Sequence, residues 1–181
     1  MKSRLCDYVG PPEGWCANSK ERCAGSVAMQ VLNEVFPSDP EQVKGLMSPG
    51  PTGPIFMVNL LKFKDRAEYE DGRQTDLTGR EAYMIYGEAV SRLLASFGGR
   101  VIFAADVSFL SLGQVEELWD EVAIGMYPDR ASMVRMSMSP QWREIAVHRS
   151  AGLKGQLNIE TVLPASAWSA EWATALGLKR A

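Results

Sequence analysis

The chain has 181 residues, 46% of them hydrophobic and 23% charged, with 19 Lys and Arg against 22 Asp and Glu for a net charge of −3. That length suits one domain with an extension, and the hydrophobic share is that of a chain with a packed core. The mildly acidic balance excludes a general nucleic-acid binder, which needs a basic patch, and no apolar run approaches the roughly 18–20 residues that cross a bilayer.

At the start of the chain no apolar stretch follows Lys2 and Arg4, so no secretory signal is expected and the expected location is the cytoplasm. Cys6, Cys16 and Cys23 are all the cysteines. An odd set without a close pair suits neither a disulfide scaffold nor a zinc site, so reduced thiols and no metal are expected. Asn18 and Glu21 fit a capping box, and Cys23, Val27, Val31 and Val35 recur at helical spacing until Pro37. Asp39-Pro40-Glu41 opens a second helix, with a cap, a proline in the first turn and an acid behind it. Ser48 to Pro54 then carries Pro49, Gly50, Pro51, Gly53 and Pro54, which continue neither helix nor ladder. Residues 1–50 therefore read as a helical N-terminal extension and linker.

Residues 51–163 read as the main domain. Ile55 to Phe63 is a nearly continuous apolar strand, with Phe56, Val58 and Leu60 on one side and Met57, Leu61 and Phe63 on the other. Thr78 is placed to cap a helix bearing Tyr83, Tyr86, Ala89, Val90, Leu93 and Phe97 on one face, which Gly98-Gly99 closes. Arg100 to Leu110 alternates as a long strand, and Trp119 to Tyr127 forms a third, ended by Pro128. A short helix from Asp129 to Met138 is followed, at Ser139-Pro140, by another through about Arg149. Gly155 to Leu163 is the last strand. The order βαββαβ predicts an α+β, ferredoxin-like fold with helices on one face of a four-stranded antiparallel sheet. A bare apolar sheet face needs a partner, and a second copy is the simplest one. Residues 164–181 form a helical tail on which Trp168, Trp172 and Leu176 share a stripe, a docking face rather than a cofactor site.

No phosphate loop, dinucleotide fingerprint, HExxH or nucleophile elbow is present. The candidate site residues are therefore polar groups in unusual places. Asn59 interrupts the apolar first strand and must either bond a neighbour or present its amide to a ligand. Asp106 poses the same question in the second strand; in a closed pocket its pKa would rise and make it a candidate base. Tyr83 and Tyr86 face the sheet, either as core residues or as the lining of a polar-tipped cavity. His148, the single histidine, is a surface or capping residue, a general base or a haem ligand. Arg130 stands at a helix N-terminus, which favours anions, so a ligand carboxylate, a partner acid or solvent must account for it. Trp119 is an aromatic wall or edge packing.

Together, Pro54 to Phe63, Gly98-Gly99-Arg100, Tyr127-Pro128-Asp129-Arg130, Ser139-Pro140-Gln141-Trp142 and Arg149 resemble domain-of-unknown-function family 1330. The resemblance spans residues 54 to 162 and is distributed rather than carried by one motif. It implies a dimeric α+β barrel, two ferredoxin-like subunits packed sheet to sheet, with a small-molecule pocket between each sheet and its helices. Wider relatives include cofactor-free monooxygenases, lactone isomerases and haem-degrading enzymes. The last use an Asn, a Trp and an axial His on the second helix. Asn59 and Trp119 match the first two, but the helix after Tyr127 has no histidine, so haem degradation is not the expectation.

The expectation is thus a homodimer without cofactor, nucleic-acid partner or membrane partner, binding a small organic ligand with acid–base or oxygenase-type chemistry. Asn59 would orient an oxygen or stabilise an oxyanion, Tyr83 or Tyr86 would donate a proton, Asp106 or His148 would be the base, and Arg130 would hold an acidic substituent. The alternative is a non-catalytic binding or assembly module that uses the arm and the tryptophan tail.

Overall fold

The computed structural model describes residues 34, 37–164, 171 and 174–177. The expected helix over 18–36, the three cysteines and the Trp168/Trp172 stripe lie outside these residues. Among the described residues, no helix is long and apolar enough to cross a membrane.

The elements run α1 (Pro40–Met47), β1 (Ile55–Phe63), α2 (Gly79–Ser96), β2 (Arg100–Asp106), β3 (Glu121–Tyr127), α3 (Arg130–Ser137), α4 (Pro140–Gly152) and β4 (Leu153–Thr161). The strands form one sheet in the order β2-β3-β1-β4, antiparallel at every pairing. This is the ferredoxin-like arrangement, with its second helix broken into α3 and α4.

Local chemistry sets the helix ends. Asp39 caps α1, its carboxylate accepting the Glu41 N–H at 2.9 Å. Thr78 and Glu81 make a reciprocal capping box at the start of α2: the Thr78 hydroxyl accepts the Glu81 N–H while Glu81 accepts the Thr78 N–H. Gly98 ends α2 in the left-handed region, at φ +78°, where the Gly99 N–H returns to the Leu94 carbonyl. Asp129 caps α3 and Ser139 caps α4, and Pro140 in the first turn of α4 cannot supply the N–H that would continue α3.

Register fixes the two faces of the sheet. Leu61 and Phe63 pack with Leu153, Tyr83 of α2 and Ala123, so they define the helix-facing side. Asn59, two residues before Leu61, shares that side, opposite Ala123 on β3 and Asn158 on β4. Leu61 lies opposite Gln156 and Glu121, which places both on the same side. A second cluster, Leu94, Met136, Trp142 and Ala146 with Tyr127 against it, joins α2, α3 and α4 to the far end of β3.

The other face carries Val58, Leu60, Val122, Ile124, Leu157, Ile159 and Phe103. Phe103 and Ile159 are 50% and 46% exposed. This is the bare apolar face expected from the alternation.

Three element boundaries differ from expectation. The second strand stops at Asp106 instead of Leu110, and the third begins at Glu121 instead of Trp119. Val107 makes one more bond, to the Asp120 carbonyl, after which residues 108–119 form the connection between the two strands. The last strand runs from Leu153 to Thr161, two residues earlier than its alternation suggests, because α4 continues to Gly152 and passes into it directly. A register shift at Val101/Phe103 also breaks the simple alternation expected of the second strand.

Candidate functional site

The candidate site lies where α2 and α4 cross over the sheet. Gly79 and Gly152 make the crossing possible: a Cβ on Gly79 would meet backbone atoms of Lys64 and Gly152, and one on Gly152 would meet the Gly79 carbonyl. One turn beyond Gly79 along α2 stands Tyr83; almost one turn before Gly152 on α4 stands Arg149. The glycine contact therefore draws these two polar side chains together under the helices.

Tyr83 and Tyr86 have ring centroids 5.4 Å apart, and Phe63 lies against Tyr83 at the same 5.4 Å, its ring tilted by 55°. Burial pushes the Tyr83 pKa far up, and the neighbouring Tyr86 pushes it further. Burial also raises the Tyr86 pKa, against the pull of Arg149 and a hydrogen bond from the Trp142 indole. Both hydroxyls therefore remain protonated at any physiological pH and act as donors, not as bases.

Arg149 is the buried charged side chain of the described core, 6% exposed. Its Nη2 donates to the Glu34 carbonyl at 3.0 Å. Its Nη1 is buried and has no hydrogen-bond partner among the described residues. Desolvation lowers its pKa, while Tyr86 and Tyr83 act to raise it. Gln156 donates from Nε2 to the same Glu34 oxygen at 2.7 Å.

Asn59 is half-buried, and its amide hydrogens go to the backbone: Nδ2 donates to the Met57 carbonyl at 3.0 Å and the Ala123 carbonyl at 3.1 Å. Its donors are thereby occupied. The group it offers the interior is Oδ1, an acceptor, which suits a ligand O–H or N–H rather than the oxyanion expected from sequence.

The remaining sequence candidates lie elsewhere or at the rim. Asp106 is exposed and ion-paired with Arg80 at 2.6 Å, so the closed pocket on which its role as base depends is not where the strand places it. Arg80 also reaches Glu121 at 3.2 Å and stacks over Phe63. Burial raises the Glu121 pKa, with Asp106 adding to it and Arg80 opposing. Glu121, which acts electrostatically on Tyr83, lies opposite Asp106 on the helix-facing side at this end and is the more buried of the two carboxylates.

Arg130 makes a bidentate pair with Glu160 at 2.7 and 2.6 Å and donates to the carbonyls of Gly45 and Ser48. A partner acid thus accounts for it, and it does not join Asn59 and Tyr86 in one cavity. His148 sits on the flank of α4 that faces the preceding loop, its Nδ1 2.7 Å from the Tyr69 hydroxyl. Burial and the nearby Arg73 lower its pKa. Trp119 is buried, fixed between Leu118, whose carbonyl accepts from Lys62, and Asp120, whose carboxylate accepts from Lys62 and the Phe63 N–H.

A groove of about 330 Å³ runs between Tyr69–Arg73 and the outer flank of α4 at Trp142, Arg143, Ala146 and Val147. Asn59, Tyr83, Tyr86 and Arg149 do not line it. Among the described residues, no group of three His, Cys, Asp or Glu side chains is arranged to hold a metal ion.

Sequence reasoning brought Tyr83, Tyr86 and Asn59 to the helix-facing side and missed Arg149, Glu121 and Gln156. Arg149 in the last turn of a helix reads as an ordinary complement to the helix dipole. The one available signal was its position two residues after Val147 and four before Leu153, on a helix whose neighbours Ala146 and Ala151 are small enough to bury it.

The family model for Domain of unknown function (DUF1330) matches residues 73–161. No curated protein matches the chain. A crystallised protein of unknown function from Rhodopseudomonas palustris is 31% identical, the match covering 72% of this chain and 96% of that one with a TM-score of 0.63. Its methylated form gives 33% identity, 74% and 96% coverage, and a TM-score of 0.65. A dimeric ferredoxin-like protein of unknown function from Thermobifida fusca is 14% identical over 63% of this chain and 94% of its own, with a TM-score of 0.37.

Proposed function

The chain belongs to the DUF1330 family, and from that starting point we propose that it is a homodimer in which each subunit binds a small organic molecule between its sheet and α2/α4. The observation that carries this reading is Arg149 Nη1, buried and without a hydrogen-bond partner among the described residues; Tyr83 and Asn59 belong to the same helix-facing side. A core that only had to fold would leave such a nitrogen out or pair it, because a buried polar atom without a partner costs about 1–3 kcal/mol. The apolar open face, with Phe103 and Ile159 half exposed, supports pairing with a second copy.

The chemistry these groups suit is cofactor-independent proton transfer. Tyr83 keeps its proton and donates a hydrogen bond to an oxygen of the ligand. Asn59 Oδ1 accepts from a ligand hydroxyl or amine and orients it. Glu121, raised by burial, takes the place first assigned to Asp106 as the base at the same end of the sheet.

Native mass spectrometry of the purified full chain tests this reading. The expected spectrum has the mass of a dimer with up to two small-molecule adducts that are lost on denaturation. A monomer, or a dimer from which no small molecule is released, overturns it. Ile159→Lys on the open face is expected to shift the dimer to monomer without releasing the ligand from either subunit.

A further inference from the structure

Arg149 and Gln156 share one feature that folding does not explain. Two side chains from different elements, α4 and β4, converge on a single carbonyl oxygen, that of Glu34, at 3.0 and 2.7 Å. That oxygen belongs to a residue ahead of α1, more than a hundred positions away in the chain. A backbone carbonyl is a weak counterpart for a guanidinium, and half of the guanidinium is left over: Nη1 is buried and has no hydrogen-bond partner among the described residues. Among the described residues no carboxylate is paired with Arg149, whereas Arg73, Arg80 and Arg130 all have one. A desolvated charge without a counterion is unfavourable, and it is tolerated at sites that receive the counterion from outside.

The geometry points to a carboxylate-bearing ligand, held at the Arg149–Gln156 end of the site proposed above. One carboxylate oxygen takes the place of the Glu34 carbonyl oxygen, between Arg149 Nη2 and Gln156 Nε2. The other sits on Arg149 Nη1. The planar guanidinium fork matches a planar carboxylate in this two-point manner. A single arginine balances one negative charge, and Glu121 on the same side of the sheet disfavours a dianion such as phosphate. The rings of Tyr83 and Tyr86, which act electrostatically on Arg149, provide a flat apolar wall beside the charge, so the body of the ligand is ring-like or hydrocarbon. The Glu34 carbonyl is the occupant that this ligand displaces.

This inference rests on the small-molecule reading and specifies its ligand class. Its test uses the full-length protein with benzoate, its neutral isostere benzamide, and inorganic phosphate, read by calorimetric titration and by thermal shift. Benzoate is expected to bind and raise the melting temperature, benzamide to bind at least tenfold more weakly, and phosphate not to compete. Arg149→Met is expected to abolish the preference for benzoate over benzamide. Gln156→Leu, on the sheet and away from the helix crossing, is expected to weaken benzoate about tenfold; it keeps the test decisive if the Arg149 variant does not fold. Failure of benzoate to bind, equal binding of benzoate and benzamide, displacement of benzoate by phosphate, or unchanged benzoate affinity in Gln156→Leu each overturns the inference. A neutral adduct in the native mass spectrum together with no benzoate binding would remove the carboxylate and leave the small-molecule reading standing.

Discussion

Gly79 and Gly152 meet backbone to backbone, each occupying the space a Cβ on the other would need. Helices α2 and α4 can approach this closely only because both positions lack a side chain. Backbone atoms cannot swing aside as a flexible side chain can, so overpacking here must separate the helices. Gly152→Ala is expected to destabilise the fold by about 2–3 kcal/mol, the upper part of the range for overpacked sites. Urea denaturation checks this, and a loss below about 0.5 kcal/mol would show that the crossing is looser than described.

Tyr83 and Tyr86 are neighbours with opposite expectations. The Tyr86 hydroxyl receives the Trp142 indole N–H, so Tyr86→Phe leaves a buried donor unmatched and should cost about 1–2 kcal/mol. The Tyr83 hydroxyl has no hydrogen-bond partner among the described residues, so Tyr83→Phe should leave stability unchanged within about 0.5 kcal/mol. Thermal unfolding of the two variants side by side decides the matter. Equal losses would mean that the Tyr83 hydroxyl is structural.

Arg130 ties α1 to the sheet by bonding Glu160 with one edge of its guanidinium and the carbonyls of Gly45 and Ser48 with another nitrogen. Lysine keeps the charge but cannot bridge these groups. Arg130→Lys is therefore expected to raise amide hydrogen exchange across residues 43–48 while β1 and β3 remain protected. Uniform exchange changes over the whole chain would contradict so local a role.

His148 should make the protein sensitive to mild acid. Its folded pKa is depressed, by burial first and Arg73 second, so between the folded and unfolded values the unfolded chain binds the proton more readily. Its contribution to stability is fully present above the ordinary histidine value, about 6.5, and is lost as pH falls from there through the folded value. Protonation also puts a hydrogen on both ring nitrogens, so that the Tyr69 hydroxyl, 2.7 Å from Nδ1, can then only accept. The melting temperature should fall between pH 7.5 and 5.5 and fall less in His148→Gln. Parallel pH profiles for the two proteins would rule the histidine out as the cause.

The sheet was legible because its signals are local. Nine consecutive residues bounded by Pro54 and Lys64 can only be β1, and Thr78 and Gly98-Gly99 bracket α2 by chemistry that acts within a few residues. The extent of the second strand was not legible, because Val107 to Leu110 keeps its alternation but finds only one bond across to Asp120; pairing is decided by the other strand. The site was half visible for the same reason. An amide or tyrosine on an apolar face stands out in a sequence, whereas Arg149 is unusual only for what it lacks among the described residues, a counterion, and that is a property of the assembled interior. Arg130 misled in the opposite way: its oddity at a helix start is answered by Glu160, thirty residues later.

Helix α4 ends at Gly152 and β4 begins at Leu153, with the Leu153 N–H bonded back to the Arg149 carbonyl. No loop separates them to absorb a displacement, so α4 and β4 behave as one stiff lever with Arg149 near its fulcrum. Leu157 and Ile159, farther along the same lever, lie on the opposite side of the sheet. In the liganded dimer proposed above, a shift of Arg149 as its carbonyl partner gives way would be transmitted along a continuous backbone to the apolar face, and would join occupancy of the interior mechanically to the fit between subunits.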